Sequence, residues 1–133
     1  MKIKAIIETG KNLDFDIYTD DGTLGFMLLG QGNTIEEAKA DLMRSKEEMK
    51  SAYIEAGESF DFDNIEFEFV FDTVSFLRHS PFTLTGLQKI TGINSKQLSH
   101  YVTGHRKPSP KTVQRIREGV SQFAETLSHT RLI

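Results

Sequence analysis

The spacing of the apolar residues changes at about residue 72, and this change divides the chain into two regions of different secondary structure. Before it, apolar and polar residues alternate in four runs, which is the pattern of β-strands with one buried face. The runs lie at Ile3 to Ile7, Leu13 to Ile17, Phe26 to Leu28, and Ile65 to Phe71. After it, short segments with helical spacing follow one another, separated by Pro81, Gly92, Gly104 and Pro108 to Pro110.

One long helix is predicted between the third and fourth strands. Thr34 followed by Glu37 has the spacing of a capping box, and apolar residues then recur at helical spacing until Gly57 ends the run. Because the strands have one polar face, the helix is expected to cover the other. The sequence therefore predicts an α+β fold, with a βββαβ domain over residues 1–72 and an all-α domain over residues 73–133.

The charge of the chain changes sign at the same place. Residues 1–72 hold seventeen Asp and Glu against seven Lys and Arg, a net charge of −10, and residues 73–133 hold two acids against nine bases, a net charge of +7. A phosphate backbone attracts the second region and repels the first. We therefore predict nucleic-acid binding after residue 72 and a separate role for the acidic region. The alternative is that the uneven charge only aids solubility.

Composition excludes several classes of protein. The chain has no cysteine, so disulfides, thiolate nucleophiles and zinc-finger ligands are absent. It has no run of about 18 apolar residues, and Met1 to Gly10 lacks the order of a signal peptide. We expect a soluble cytoplasmic protein without a membrane segment and without a cofactor.

The range from Leu84 to Gly104 has the pattern of two short helices joined by a tight turn. Gly92 is suited to the positive φ that ends the first helix, Ile93 is placed to fill the corner, and Leu98 is placed to pin the second helix against the first. The second helix is expected to begin near Ser95 as its N-cap. This arrangement predicts a helix-turn-helix.

Side chains on and after the second helix combine hydrogen-bonding groups for base edges with cations for phosphates. The N-terminal end of such a helix enters the major groove, where Gln97 can pair with adenine. Arg106, Lys107 and Lys111 would hold the phosphate backbone. The complete predicted DNA-binding set is Lys89, Asn94, Ser95, Lys96, Gln97, Ser99, His100, Thr103, His105, Arg106, Lys107 and Lys111.

The residues from Thr91 to Ser99, with Gly104 and Arg106-Lys107-Pro108 after them, resemble the lambda-repressor (XRE-like) class of helix-turn-helix. The resemblance covers the region 73–133 and implies double-stranded DNA as a partner, bound at an inverted repeat. Gln88 stands where that class usually has a small alanine between the two helices. Either the helices cross more widely here, or Gln88 turns outward.

The acidic region is similar to the HicB family of antitoxins. Gly30 to Ala38 is similar to the glycine, threonine and Glu-Glu-Ala opening of that family's helix, whereas Gly22 to Gly25 replaces its usual proline-glycine turn. The resemblance implies a degraded RNase H-like domain. It also implies a partner, a small basic RNA-cleaving toxin (HicA-like), and an antitoxin that represses its own operon.

Two other functions are kept as alternatives. A stand-alone repressor would use its first domain to oligomerise or to sense a ligand. A metal-dependent nuclease would need the acidic residues of the second strand and the following turn to hold a divalent ion, but no nearby histidine or lysine suggests an acid-base partner. Those residues are Asp14, Asp16, Asp20 and Asp21. We predict a non-enzyme with no catalytic residue and no metal site.

The last helix is predicted to start at Ser109 and Pro110 and to carry a three-four apolar stripe. Its last members, Phe123 and Leu127, extend beyond what a compact four-helix unit needs to bury. We therefore expect a homodimer or a larger homo-oligomer, with this stripe as one contact.

Overall fold

A computed structural model describes residues 1–10, 14–19 and 21–133, and of Asp21 it describes only the backbone. Leu13 and Asp20, expected above in the second strand and in the acidic cluster, lie outside the described residues. The chain divides into two compact units, Met1–Ser75 and Phe76–Ile133. Together they have a mixed α and β composition, with a four-stranded sheet in the first unit.

The first unit consists of one sheet and one long helix. Its strands are β1 (Lys2–Thr9), β2 (Phe15–Thr19), β3 (Leu29–Gly32) and β4 (Glu66–Phe71), in the spatial order β3-β2-β1-β4. β1 is antiparallel to β2 and parallel to β4. The helices are the one-turn α1 (Asp21–Leu24) and α2 (Ile35–Glu55), and a 3-10 turn (Phe62–Asn64) precedes β4.

The expected alternation of the strands is found in β1 and β2 and only in part in β4, where Phe69 is 38% exposed although it was expected on the packed face. Ile3, Ala5 and Ile7 of β1 are buried with Ile17 of β2, and Phe67 and Phe71 of β4 pack against the same core. The opposite face has exposed and half-buried residues and remains open. The sheet therefore has one packed face and one open face.

Helix α2 covers the packed face and begins as predicted. The Glu37 N–H donates to the Thr34 hydroxyl at 3.0 Å, and the Glu37 carboxylate accepts from the Asn33 N–H at 2.9 Å. Gly57, at φ 71°, follows the end of the helix. Where β3 packs against α2, a Cβ at Gly30 would overlap the Ala38 carbonyl. Only glycine at this position therefore allows the strand to lie so close to the helix.

One hydrogen bond joins β3 to α2 through a charged side chain. The Gln31 N–H of β3 donates to the Asp41 carboxylate of α2 at 2.9 Å, and Arg44 forms an ion pair with the same carboxylate. The Gln31 hydrogen bond, with the Arg44 contact second, lowers the pKa of Asp41 below its usual value. The ionised carboxylate thus stabilises the packing of β3 on the helix.

Two details of the first unit differ from the prediction. The third strand is Leu29–Gly32 and not the Phe26 to Leu28 run. The Thr19 hydroxyl accepts from the Leu28 N–H at 2.9 Å, so a side chain occupies a backbone donor just before the regular ladder begins. The turn after β2 also contains the short helix α1, which the expected turn at Asp20 to Gly22 did not include.

The second unit is helical. Helix α3 (Thr73–His79) begins in the first unit, where the Ser75 N–H donates to the Asp72 carboxylate at 3.0 Å. It is followed by α4 (Leu84–Thr91), α5 (Ser95–Val102) and α6 (Pro110–Ser128). The buried core of the unit consists of Leu77, Leu87, Ile93, Leu98, Tyr101 and Ile116. Among the described residues, no helix combines the length and apolar character needed to cross a membrane.

Candidate nucleic-acid interface

The turn between α4 and α5 has the geometry that its sequence predicts. Gly92 follows α4 at φ 73°, a left-handed conformation that favours glycine. Ile93 is 3% exposed and Leu98 is fully buried, so both fill the space between the helices. The Thr91 hydroxyl donates to the Leu87 carbonyl at 2.7 Å and accepts from the Ile93 N–H at 3.1 Å. The turn is therefore fixed by packing and by hydrogen bonds.

The start of α5 differs from the prediction by one residue. Its N-cap is Asn94 and not Ser95, because the Asn94 side chain accepts from the Lys96 N–H at 2.8 Å. The Ser95 N–H donates instead to the Gln88 side chain at 2.8 Å. Gln88 thus turns outward, one of the two alternatives for this residue, and caps the next helix from α4. Asn94 and Gln88 together satisfy backbone donors at the N-terminal end of α5.

Helix α6 supports the end of α4 through two residues that sequence analysis missed. The Arg115 guanidinium donates to the Gly92 carbonyl at 2.9 Å. One turn further on, a Cβ at Gly119 would overlap the Ile90 carbonyl, so only glycine allows this helix contact. A lone glycine inside an amphipathic helix costs about 1 kcal/mol relative to alanine, and that cost was the available signal of a close approach. Through Arg115 and Gly119, α6 thereby packs against the end of α4 and stabilises the turn.

The lysines and the arginine of the predicted DNA-binding set share one property: their side chains are exposed and form no ion pair with any described residue. They lie on α4 at Lys89, at the start of α5 at Lys96, in the loop after it at Arg106 and Lys107, and in the first turn of α6 at Lys111. α4 contacts both α5 and α6. These cations therefore belong to one connected group of elements.

The loop that carries Arg106 and Lys107 is attached to the end of α5. Gly104 has φ 81°, and the Arg106 N–H donates to the His100 carbonyl at 3.2 Å. The rings of His100 and His105 lie 5.5 Å apart, centroid to centroid. A further cation, Arg78, donates to the Val102 carbonyl at 3.0 Å, where the helix dipole is negative. The loop therefore brings two exposed cations next to α5.

The uncharged members of the predicted set are less uniform. Gln97 is exposed, and its side-chain amide donates to the Tyr101 hydroxyl at 2.7 Å, which fixes its direction and leaves its carbonyl oxygen available. Thr103 uses its hydroxyl on the Ser99 carbonyl at 3.0 Å, and Asn94 uses its oxygen as a cap. The half-buried members are Ser95, Ser99 and His100. Gln97 is thus the best placed of the set for a directed base contact.

The acidic residues considered for a metal ion are placed as follows. Asp16 lies in β2, where its carboxylate accepts from the Gln31 amide at 3.0 Å, and Asp14 precedes the strand. Within residues 1–10, 14–19 and 22–133, no three His, Cys, Asp or Glu side chains come close enough together to hold a metal.

Comparison with known proteins finds no family model, no curated protein and no solved structure that matches this chain.

Proposed function

We propose that this protein is a DNA-binding transcriptional regulator that uses α4 and α5 as a helix-turn-helix. The observation that carries the proposal is the exposure of Lys96 and Gln97 in the first turn of α5, together with exposed cations on α4, after α5 and on α6 that have no ion-pair partner among the described residues. Phosphates of a duplex would supply the missing anions, and Gln97 would contact base edges in the major groove. Lys89, Arg106, Lys107 and Lys111 would fix the orientation of the helix on the backbone.

The rigidity of the turn favours this role. A helix that reads bases must be held in place by its own domain, because a small displacement loses directed hydrogen bonds. Here the turn is supported by Arg115 and Gly119 of α6, and the start of α5 is capped by Asn94 and Gln88. A second copy would place two such helices on the half-sites of an inverted repeat, about one helical turn of DNA apart.

The acidic first unit favours an antitoxin over a stand-alone repressor. Its net charge of −10 repels DNA and attracts a basic protein. We propose that it is a HicB-like domain of RNase H-like descent. In this role it covers a small basic RNA-cleaving toxin, while the second unit represses the shared operon. The product of an adjacent reading frame is the first partner to examine.

Selection from a random duplex library by the full-length protein, followed by titrations at two salt concentrations, tests the regulatory function. We expect enrichment of an inverted repeat and affinity that falls as salt rises. Arg106→Glu should weaken binding to the selected duplex by at least about tenfold, because it places an acid beside a phosphate. Arg131→Glu, the same charge change at an exposed arginine beyond α6, is the matched control.

Two results would count against this function. One is the absence of any enriched sequence together with binding that does not respond to salt. The other is an equal effect of Arg106→Glu and Arg131→Glu, because it would mean that net charge alone governs binding. The antitoxin role is tested separately, by titrating the full-length protein with the basic product of an adjacent reading frame and measuring association rates at low and high salt.

A further inference from the structure

The open face of the sheet carries a row of four apolar side chains, one from each strand. The strand registers place Leu29 beside Tyr18, Tyr18 beside Ile6, and Ile6 beside Val70. Leu29 is 43% exposed, and the other three are half-buried. Because neighbouring strands lie about 4.8 Å apart, this apolar row extends about 14 Å across the sheet.

The two flanks of the apolar row differ in charge. On one side, Lys4 of β1 lies opposite Glu68 of β4, so the charges balance. On the other side, Glu8 lies opposite Asp16, and neither carboxylate forms an ion pair with a described residue. Glu8 accepts a hydrogen bond from the Tyr18 hydroxyl at 2.7 Å, which holds it at the border of the row. Among the described residues, the negative charge of this flank is therefore not compensated by an ion pair.

We propose that the apolar row binds a helix of a basic partner protein, with about three turns in contact and with Lys or Arg on the flank above Glu8 and Asp16. Apolar residues on one face of a helix advance by about 5 Å per step, close to the spacing between strands. A helix lying across the strands would thus place one apolar residue on each. The proposal rests on the proposed role of the acidic unit as a binder of a basic protein, and it names the surface and the shape of the contact.

The long helices of the chain itself are poor occupants of this surface. The apolar face of α2 packs on the other side of the sheet through Ala38 and Leu42. The apolar stripe of α6 packs in its own unit through Ile116. The ring of Phe123 packs edge-on against that of Phe82, with the two ring centroids 5.4 Å apart. Phe123 was expected to lie beyond the compact unit, and this ring contact places it inside. A second copy would have to unpack one of these faces, so we assign the row to a different protein.

Two synthetic helical peptides of about 15 residues test the proposal with the full-length protein. Both carry four leucines on one face; the flanking positions are lysines in one and glutamates in the other. Fluorescence anisotropy should show that the lysine peptide binds at least about tenfold more tightly, with an advantage that shrinks as salt screens the charges. Equal affinities for the two peptides would overturn the proposal.

A matched pair of variants locates the binding surface. Leu29→Lys places an ammonium in the apolar row, and Met43→Lys makes the same charge change on α2 at 44% exposure, nearly the exposure of Leu29. We expect a loss of about tenfold in lysine-peptide affinity for Leu29→Lys and less than about twofold for Met43→Lys. Circular dichroism of both variants verifies that they are folded. Equal effects of the two variants would contradict the assignment of the surface.

Two further measurements separate the possible failures. If Leu29→Lys lowers the mass seen by sedimentation and leaves peptide binding unchanged, the row is a self-interface and the proposal is wrong. Binding to the selected duplex is measured on the same samples. Absent peptide binding with intact DNA binding overturns the docking surface alone, whereas peptide binding by a protein that binds no DNA overturns the regulatory function alone.

Discussion

The two units of the chain use their charged side chains in opposite ways. In the first unit, Lys50 forms an ion pair with Asp63, Arg44 forms one with Asp41, and the Lys39 ammonium stands 4.6 Å from the centre of a phenylalanine ring. In the second unit, no ion pair is found among the described residues. Arg78 and Arg115 instead donate to backbone carbonyls at helix ends. These three cations of the acidic unit contact other side chains of the same unit. Most cations of the basic unit have no such contact and remain available to a partner.

The units are alike in one respect, which is the use of glycine where backbones meet. Gly30 brings β3 against α2, and Gly119 brings α6 against the end of α4. Both contacts exclude a Cβ because a backbone atom of the neighbouring helix occupies its place. The two units thus differ in their surfaces and share a way of closing their cores.

The largest expected effect is a loss of stability in one unit at a time. Gly30→Ala and Gly119→Ala each force a methyl group into backbone, which should lower the free energy of unfolding of the affected unit by about 3 kcal/mol. Thermal unfolding followed by circular dichroism, with NMR signals to assign the unit, measures the loss. Gly86→Ala in α4, where the nearest atom is a cap hydroxyl at 3.3 Å, should change the stability by less than about 1 kcal/mol. Equal losses at all three positions would contradict the close packing.

The next effect sharpens the distinction between cations that position DNA and groups that read it. Gln97→Ala should lose about 1 to 3 kcal/mol of preference for the selected duplex over a scrambled one. Tyr101→Phe removes the hydroxyl that directs Gln97 and should lose part of the same preference. Arg106→Ala should weaken both duplexes alike and lower the salt slope by about 1. Titrations on both duplexes decide this, and parallel losses for all three variants would reject the distinction.

A smaller effect on stability is expected from two arginines of α6 with different contacts. Arg115 holds the Gly92 carbonyl, so Arg115→Ala should lower the free energy of unfolding by about 1 kcal/mol. Arg117 is exposed and has no hydrogen-bond partner among the described residues, and Arg117→Ala is the matched control. Urea unfolding of both variants measures the difference. A larger loss at Arg117 would mean that the available cations also stabilise the fold.

The smallest effect concerns the pH dependence of the first unit. The pKa of Asp41 is lowered in the fold, so its carboxylate stabilises the unit at pH values above the ordinary carboxyl range. That contribution is lost as the pH falls through the lowered pKa. Asp41→Asn should therefore be less stable than the original protein at neutral pH, and the difference should shrink in acid. Glu48→Gln, an exposed change on the same helix, should show no such convergence in urea unfolding at several pH values.

Sequence analysis predicted local structure most successfully where one residue type has one strong reason for its place. The cap at Thr34, the positive φ of Gly92 and the start of α6 at Ser109 and Pro110 are confirmed. The third strand begins at Leu29: the Thr19 N–H donates to the Leu28 carbonyl at 3.0 Å, but the Leu28 N–H donates to the Thr19 hydroxyl and not to a backbone carbonyl. Such a contact joins residues from two strands, and alternation within one strand contains no trace of it.

At the candidate site, the sequence predicted which residues are exposed, but it did not predict their hydrogen-bond partners. The exposure of Lys96, Arg106 and Lys107 agrees with the surface position expected of DNA-binding cations. The engagement of Gln97 by Tyr101 and of Ser95 by Gln88 depends on which side chains the turn brings within about 3 Å. DNA contact by these residues stays a prediction.

The sequence by itself determined the periodicities, the caps and the opposite charges of the two regions, because each follows from residues close together in the chain or from a simple sum. Only the tertiary structure decided that Gly119 meets the Ile90 carbonyl, that Arg115 supports the turn, and that an apolar row crosses the open face of the sheet. These features join residues far apart in sequence. Their positions depend on strand register and helix packing, which are set by the collective burial of the core and not by any local pattern.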